Sequence, residues 1–168
     1  PEEDIADDFA TVYIHMMLPD RAAAIIEARA AQNMADGHTP EMFSEYRADD
    51  QRAGRSICIL YGLDPERHAE FAQRLGLDGD EAAACRDFAP ELGRSWRRIL
   101  APYLMPDGAR VTEVGFRTED APWPNAVAQS GLYDPLSVLM SGIDWHSRVT
   151  VVLVPSARFS VVCLPKLS

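Results

Sequence analysis

Glu2-Glu3-Asp4-Ile5-Ala6-Asp7-Asp8-Phe9-Ala10-Thr11 is the stretch around which this 168-residue chain is organised. The residues read as a helix whose first two turns carry five carboxylates. Glu3 and Asp7 are four apart and share a face, where like charges repel by a few tenths of a kcal/mol unless a cation or donor lies between them. Ile5, Phe9, Val12 and Met16 follow a helical period on another face, which predicts that they pack inward. Acidic residues also favour a first turn for a plain reason, because the helix dipole and capping stabilise them there.

Around this helix the chain reads as mainly helical. Pro19-Asp20 breaks the first helix near Leu18 and restarts an alanine-rich second one over 20–35. Thr39-Pro40 predicts a cap for a third helix reaching about Tyr61, with Gly62 past its end as the closing glycine. Asp64-Pro65-Glu66 predicts a capped fourth helix with Phe71 and Leu75 inward, closed by Gly76. Leu77-Asp78-Gly79-Asp80 lacks the later acidic positions of a calcium loop and reads as a turn with an N-cap. A short helical stretch over 80–86 and a last helix from Asp87 to about Ala101 follow, the latter with Leu92, Trp96, Ile99 and Leu100 inward, and Pro102 stops it.

From Met105 the character changes. Val111, Val114 and Phe116 predict a short strand, and 118–146 reads as a loop-rich region with Pro122, Pro124 and Pro135, pinned by Trp123, Tyr133 and Trp145. Arg148–Val154 and Arg158–Leu164 read as a β-hairpin, the first arm so uniformly apolar that burial on both sides is expected. The fold class is therefore α+β, mainly α. A helical region over 1–104 and a loop-rich tail over 105–168 are expected to form a single compact domain.

Charge and length exclude several roles. A net charge of −10 without a basic stripe argues against nucleic acid. Fifteen of the sixteen basic residues are arginine, a bias from which no function follows. No run approaches the ~18 apolar residues of a membrane span. No Gly-rich phosphate loop, nucleophile elbow or Cys/His pairing occurs, so a small-molecule enzyme has little support. His15, beside Met16 and Met17, reads as a packed or surface residue rather than a ligand.

Glu3-x-x-Ala6-Asp7 followed by Phe9-Ala10 resembles the second metal motif of gluzincin zinc peptidases. Two further blocks extend the likeness: Asp50-Gln51-Arg52 to Cys58 with Tyr61-Gly62 and Asp64-Pro65-Glu66-Arg67, then Cys85, Arg94-Ser95-Trp96 and Leu100-Ala101-Pro102-Tyr103. In this order they are similar to a bacterial family of proposed metallopeptidases, over residues of about 2–104. The resemblance implies a zincin-like helical part and a bound zinc. Glu3 would be a zinc ligand, with Glu2 the alternative one register away, and Asp7 would orient a ligating imidazole. Asp50 and Arg52 are the candidates for contact with substrate or oxyanion, against the alternative of a solvated, ion-paired face. A peptide or protein would be the substrate, hydrolysed with metal assistance. The family likeness also favours a Cys58–Cys85 disulfide, and hence a periplasmic or secreted location; the residues alone leave two buried free thiols open.

The resemblance has one departure. The family's first metal motif, His-Glu-x-x-His, supplies two imidazole ligands and the general base. The four histidines here, His15, His38, His68 and His146, do not have that spacing. The expectation is therefore a distal portion, inactive alone, whose site an upstream segment or partner chain completes. The alternative is a non-catalytic helical binding module that keeps the peptidase fold.

Overall fold

A computed structural model describes residues 2–36, 49–105, 114–118, 129–146 and 148–153. The chain divides into two compact units, Pro1–Leu100 and Ala101–Ser168. Among the described residues the architecture is mainly helical, with a small two-stranded sheet. The predicted cap at Thr39, the strand residue Val111, Trp123 and the hairpin arm 158–164 all lie outside the described residues.

The first unit holds helices α1 (Glu2–Met17), α2 (Ala22–Asp36), α3 (Asp49–Leu63), α4 (Pro65–Arg74) and α5 (Gly79–Leu100). Helix α3 is its axis, because α1, α2, α4 and α5 all pack against it. The core follows from that placement. Ala22 and Ile26 of α2 meet Ile57 and Leu60 of α3 and Phe71 of α4 in one buried cluster. Tyr61, Ala72, Ala82 and Cys85 form a second. Helix α4 starts as its residues dictate: the Asp64 carboxylate accepts the Arg67 backbone N–H at 3.2 Å, and Pro65 occupies a first-turn position that needs no donor. It ends where Gly76 takes a φ of +84°, a left-handed conformation that glycine adopts without strain.

Two predictions around α3 and α5 need correction. Gly62 does not close α3 but lies inside it. A Cβ there would sit 2.1 Å from the Cys85 carbonyl oxygen and 2.6 Å from the Ala89 Cβ. The glycine therefore serves close helix packing rather than termination. The stretches 80–86 and 87–101 are one helix of 22 residues that runs through Pro90. Its buried positions, Ala82, Cys85, Ala89, Gly93 and Leu100, form one stripe along the helix. Four of the five are small, which lets the α3 backbone approach. An interior proline costs about 3 kcal/mol; continuous packing of that stripe on α3 offsets the cost. The Cys58–Cys85 disulfide crosses the same contact.

Helix α1 also buries a different stripe from the one predicted. Val12 is fully buried, but Ile5 is 56% exposed. The buried positions are Asp8, Thr11, Val12 and Tyr13. Polar groups can lie inward here because they have partners: Thr11 Oγ1 donates to the Asp7 carbonyl at 2.8 Å, and Asp8 meets an arginine described below. Leu75 and Ile99, both predicted inward, are likewise exposed.

The second unit contains strand β1 (Val114–Thr118), helix α6 (Tyr133–Ser141) and strand β2 (Val149–Leu153). The strands pair in parallel, Val114 opposite Val149 and Thr118 opposite Leu153. A parallel pair needs a long crossover, and α6, packed on β1, lies within it. The Asp134-Pro135 step, read as a turn, is the first turn of this helix. Strand β2 alternates, with Val151 buried and Thr150 exposed, so it is not buried on both faces as expected. Tyr103–Met105 runs beside Gly142–Asp144, joined by an antiparallel bridge from Leu104 to Ile143 and by hydrogen bonds from Met105 N to Gly142 O and from Asp144 N to Tyr103 O. The Trp145 indole donates to the Met140 carbonyl at 2.8 Å, which holds this aromatic against its own unit.

Candidate functional site

The acidic start of α1 lies against α3. Asp7 Oδ2 accepts a hydrogen bond from Arg52 Nε at 2.7 Å. Asp8 is held by both arms of Arg55, Nε to Oδ1 at 2.6 Å and Nη2 to Oδ2 at 2.7 Å. The two arginines are three residues apart on α3, so adjacent turns present two guanidinium groups to two successive carboxylates. Neither pair is a surface pair. The Arg52 side chain is 14% exposed and that of Asp8 9%. Bidentate geometry at low exposure makes the Asp8–Arg55 contact a strong one. The hydrogen bond to Asp8 raises the Arg55 pKa, against the opposing effect of burial.

Aromatic residues hold the far side of α1. Phe9 stacks on Tyr13, with ring centroids 5.6 Å apart, and tilts against Trp96 of α5 at 5.4 Å. Burial pushes the Tyr13 phenol up to about 12, so it remains neutral at any physiological pH. Beside the disulfide a groove of about 450 Å³ opens between α3 and α5, lined by Gly54, Arg55, Leu77, Glu81 and Phe88 among others. The Arg55 guanidinium sits 4.9 Å over the Phe88 ring at its edge.

Of the residues singled out in the sequence, the structure brings together Asp7 and Arg52, and Cys58 and Cys85. Glu2 and Glu3 occupy the first turn of α1 and Asp50 the first turn of α3; the side chains of Glu3 and Asp50 lie outside the described residues. Asp8 and Arg55 were missed. The signal was present: Asp8, Thr11, Val12 and His15 follow a helical period of their own, but weighting by hydrophobicity hides a stripe with polar members.

Residues 1–100 match a family described as a putative metallopeptidase. This chain belongs to that family. Comparisons with curated proteins and with solved structures find no match. The metallopeptidase family implies a metal, and the donor chemistry can be tested against it. A catalytic zinc takes three protein ligands and keeps an open position. Among the described residues no three His, Cys, Asp or Glu side chains converge in a way that could hold a metal ion. Those residues alone do not fit a catalytic metal. Among the described residues no helix is long and apolar enough to cross a membrane.

Proposed function

We propose that this member of the metallopeptidase family is the distal part of a gluzincin-like zinc peptidase that hydrolyses peptide bonds in peptides or proteins. Glu3 contributes one zinc ligand, and two imidazole ligands come from a segment or chain outside these 168 residues. The observation that carries the reading is the Asp7–Arg52 contact within a family match over residues 1–100. A carboxylate has about four lone-pair positions, so the hydrogen bond that Asp7 Oδ2 accepts from Arg52 Nε does not by itself fill them. In this role Arg52 is a positioning residue that fixes Asp7, and Asp7 in turn orients a ligating imidazole and its tautomer. Asp50, five residues before Arg55 on α3, is assigned to substrate contact. The groove beside Phe88 suits an apolar side chain of a peptide. The disulfide supports a periplasmic or secreted location, because such bonds persist in oxidising compartments.

The test is hydrolysis of a mixed peptide library by the protein with its upstream residues, before and after removal of metal by a chelator. The reading expects cleavage that stops on chelation and returns with zinc. Cleavage indifferent to chelation would remove the metal from the reaction.

A second reading, a non-catalytic helical binding module, draws on one observation. Asp7 and Asp8 are already matched by Arg52 and Arg55, so the repulsion at the head of α1 is offset by the chain itself. Metal-free protein that does not cleave but binds peptide would favour this reading.

A further inference from the structure

Two histidines that the proposed function does not use meet where α1 touches α4. The His15 and His68 rings pack edge to face with centroids 5.7 Å apart, and His68 in turn packs edge to face on Phe71 at 6.3 Å. His68 is only 2% exposed. His15 Nδ1 and His68 Nε2 are both buried without a hydrogen-bond partner. We propose that this ring pair is an acid-released latch: neutral, it fastens α1 to α4; protonated, it pushes the two helices apart.

The physical case rests on what a proton would find there. A neutral imidazole packs as an aromatic ring; an imidazolium needs solvent or an acceptor at both nitrogens. Each ring has one nitrogen shut away from both. The charged groups around the pair do not compensate. Asp64, at the head of α4, favours a positive charge on either ring. That carboxylate, however, already accepts the Arg67 backbone N–H and pairs with the Arg67 guanidinium. Arg67 of α4 opposes protonation of both rings, and Arg97 of α5 opposes it at His15. A proton on His15 also disfavours one on His68. Burial is the largest effect at both, and it lowers both pKa values from the ordinary imidazole value.

The sign of the pH dependence follows. The folded chain binds these protons more weakly than the unfolded chain. The pair's contribution to stability is therefore complete above the unfolded value of about 6.5. It is lost as pH falls from there through the folded values. The same α1 carries the acidic residues that Arg52 and Arg55 hold, so acidification loosens the far end of the helix on which the candidate site is built. The latch itself does not depend on the metallopeptidase reading.

The experiment follows the imidazole resonances and the thermal midpoint of the full chain from about pH 7.5 to about pH 5, the range in which imidazoles charge. The wild type is compared with His68→Phe, which keeps a ring and removes the proton site, and with His15→Gln. The expected result has both rings titrating below the ordinary imidazole range. The wild-type Tm should fall by a few degrees more than that of either variant across the interval. Rings that titrate at the ordinary value, or midpoints that fall in parallel in all three proteins, would overturn the latch. If His68→Phe does not fold, the wild-type ring titration together with His15→Gln decides the matter.

Discussion

The same substitution at two glycines of α3 should have opposite signs. At Gly62 a Cβ would lie 2.1 Å from the Cys85 carbonyl oxygen and 2.7 Å from its carbonyl carbon. Both are backbone atoms, and ordinary contact would require α5 to retreat by about 1 Å or more. The disulfide ties α5 to α3 at that residue, so the retreat must be shared along the helix. Overpacking of this kind costs about 1–3 kcal/mol, and the rigid neighbour places Gly62→Ala near the top of that range. Helix propensity returns up to about 1 kcal/mol, leaving a net loss of about 2 kcal/mol. At Gly54, one helix with the same backbone preference, a Cβ meets nothing within 4 Å. Gly54→Ala should therefore stabilise by about 0.5–1 kcal/mol. Urea unfolding followed by far-ultraviolet circular dichroism reads both. With an m-value of about 2 kcal/mol per molar, the two midpoints should differ by more than about 1 M. Equal midpoints would refute the claim that α3 and α5 pack backbone to backbone at Gly62.

Removing the disulfide with Cys58→Ala/Cys85→Ala opens a link between residues 27 apart, worth about 3.5 kcal/mol by loop-closure entropy; a Tm that does not move would contradict it. Arg55→Ala leaves the buried Asp8 without its bidentate partner and should cost about 2–3 kcal/mol in the same urea assay. Arg74→Ala removes a pair with Glu27 that is exposed on both sides and should leave the urea midpoint unchanged. Similar losses at the two arginines would mean that burial does not decide the strength of these pairs.

What was legible in the sequence had local causes. The Asp64-Pro65 cap, the Gly76 stop and the break at Pro19 depend on residues within a turn of one another, and the structure places them as read. What was not legible depends on partners distant in the chain. Gly62 reads as a terminator by local rules, yet it is kept by Cys85 and Ala89, more than twenty residues on. The residues read as two helices that divide between Arg86 and Asp87, yet the small-residue stripe of α5 carries one helix across that point. The burial of Asp8 depends on Arg55, 47 residues on in the chain. Pro135 in a region of prolines reads as loop, whereas a proline in the first turn of α6 breaks nothing. The parallel pairing of β1 with β2 could not be read from strand residues, because crossover length and register are set by the helix between them. At the candidate site, the family resemblance singled out Asp7 and Arg52 separately; their contact is a property of how α1 lies on α3.

The central functional claim is that α1 brings Glu3 to a zinc ion. Its most direct test is the zinc content of the purified protein with its upstream residues, by elemental analysis, for the wild type and for Glu3→Ala, each dialysed against metal-free buffer. The account predicts close to one zinc per wild-type chain and loss of most of it in the variant, with the fold intact by circular dichroism. Equal zinc in both proteins, or none in the wild type after reconstitution with excess metal, would contradict it.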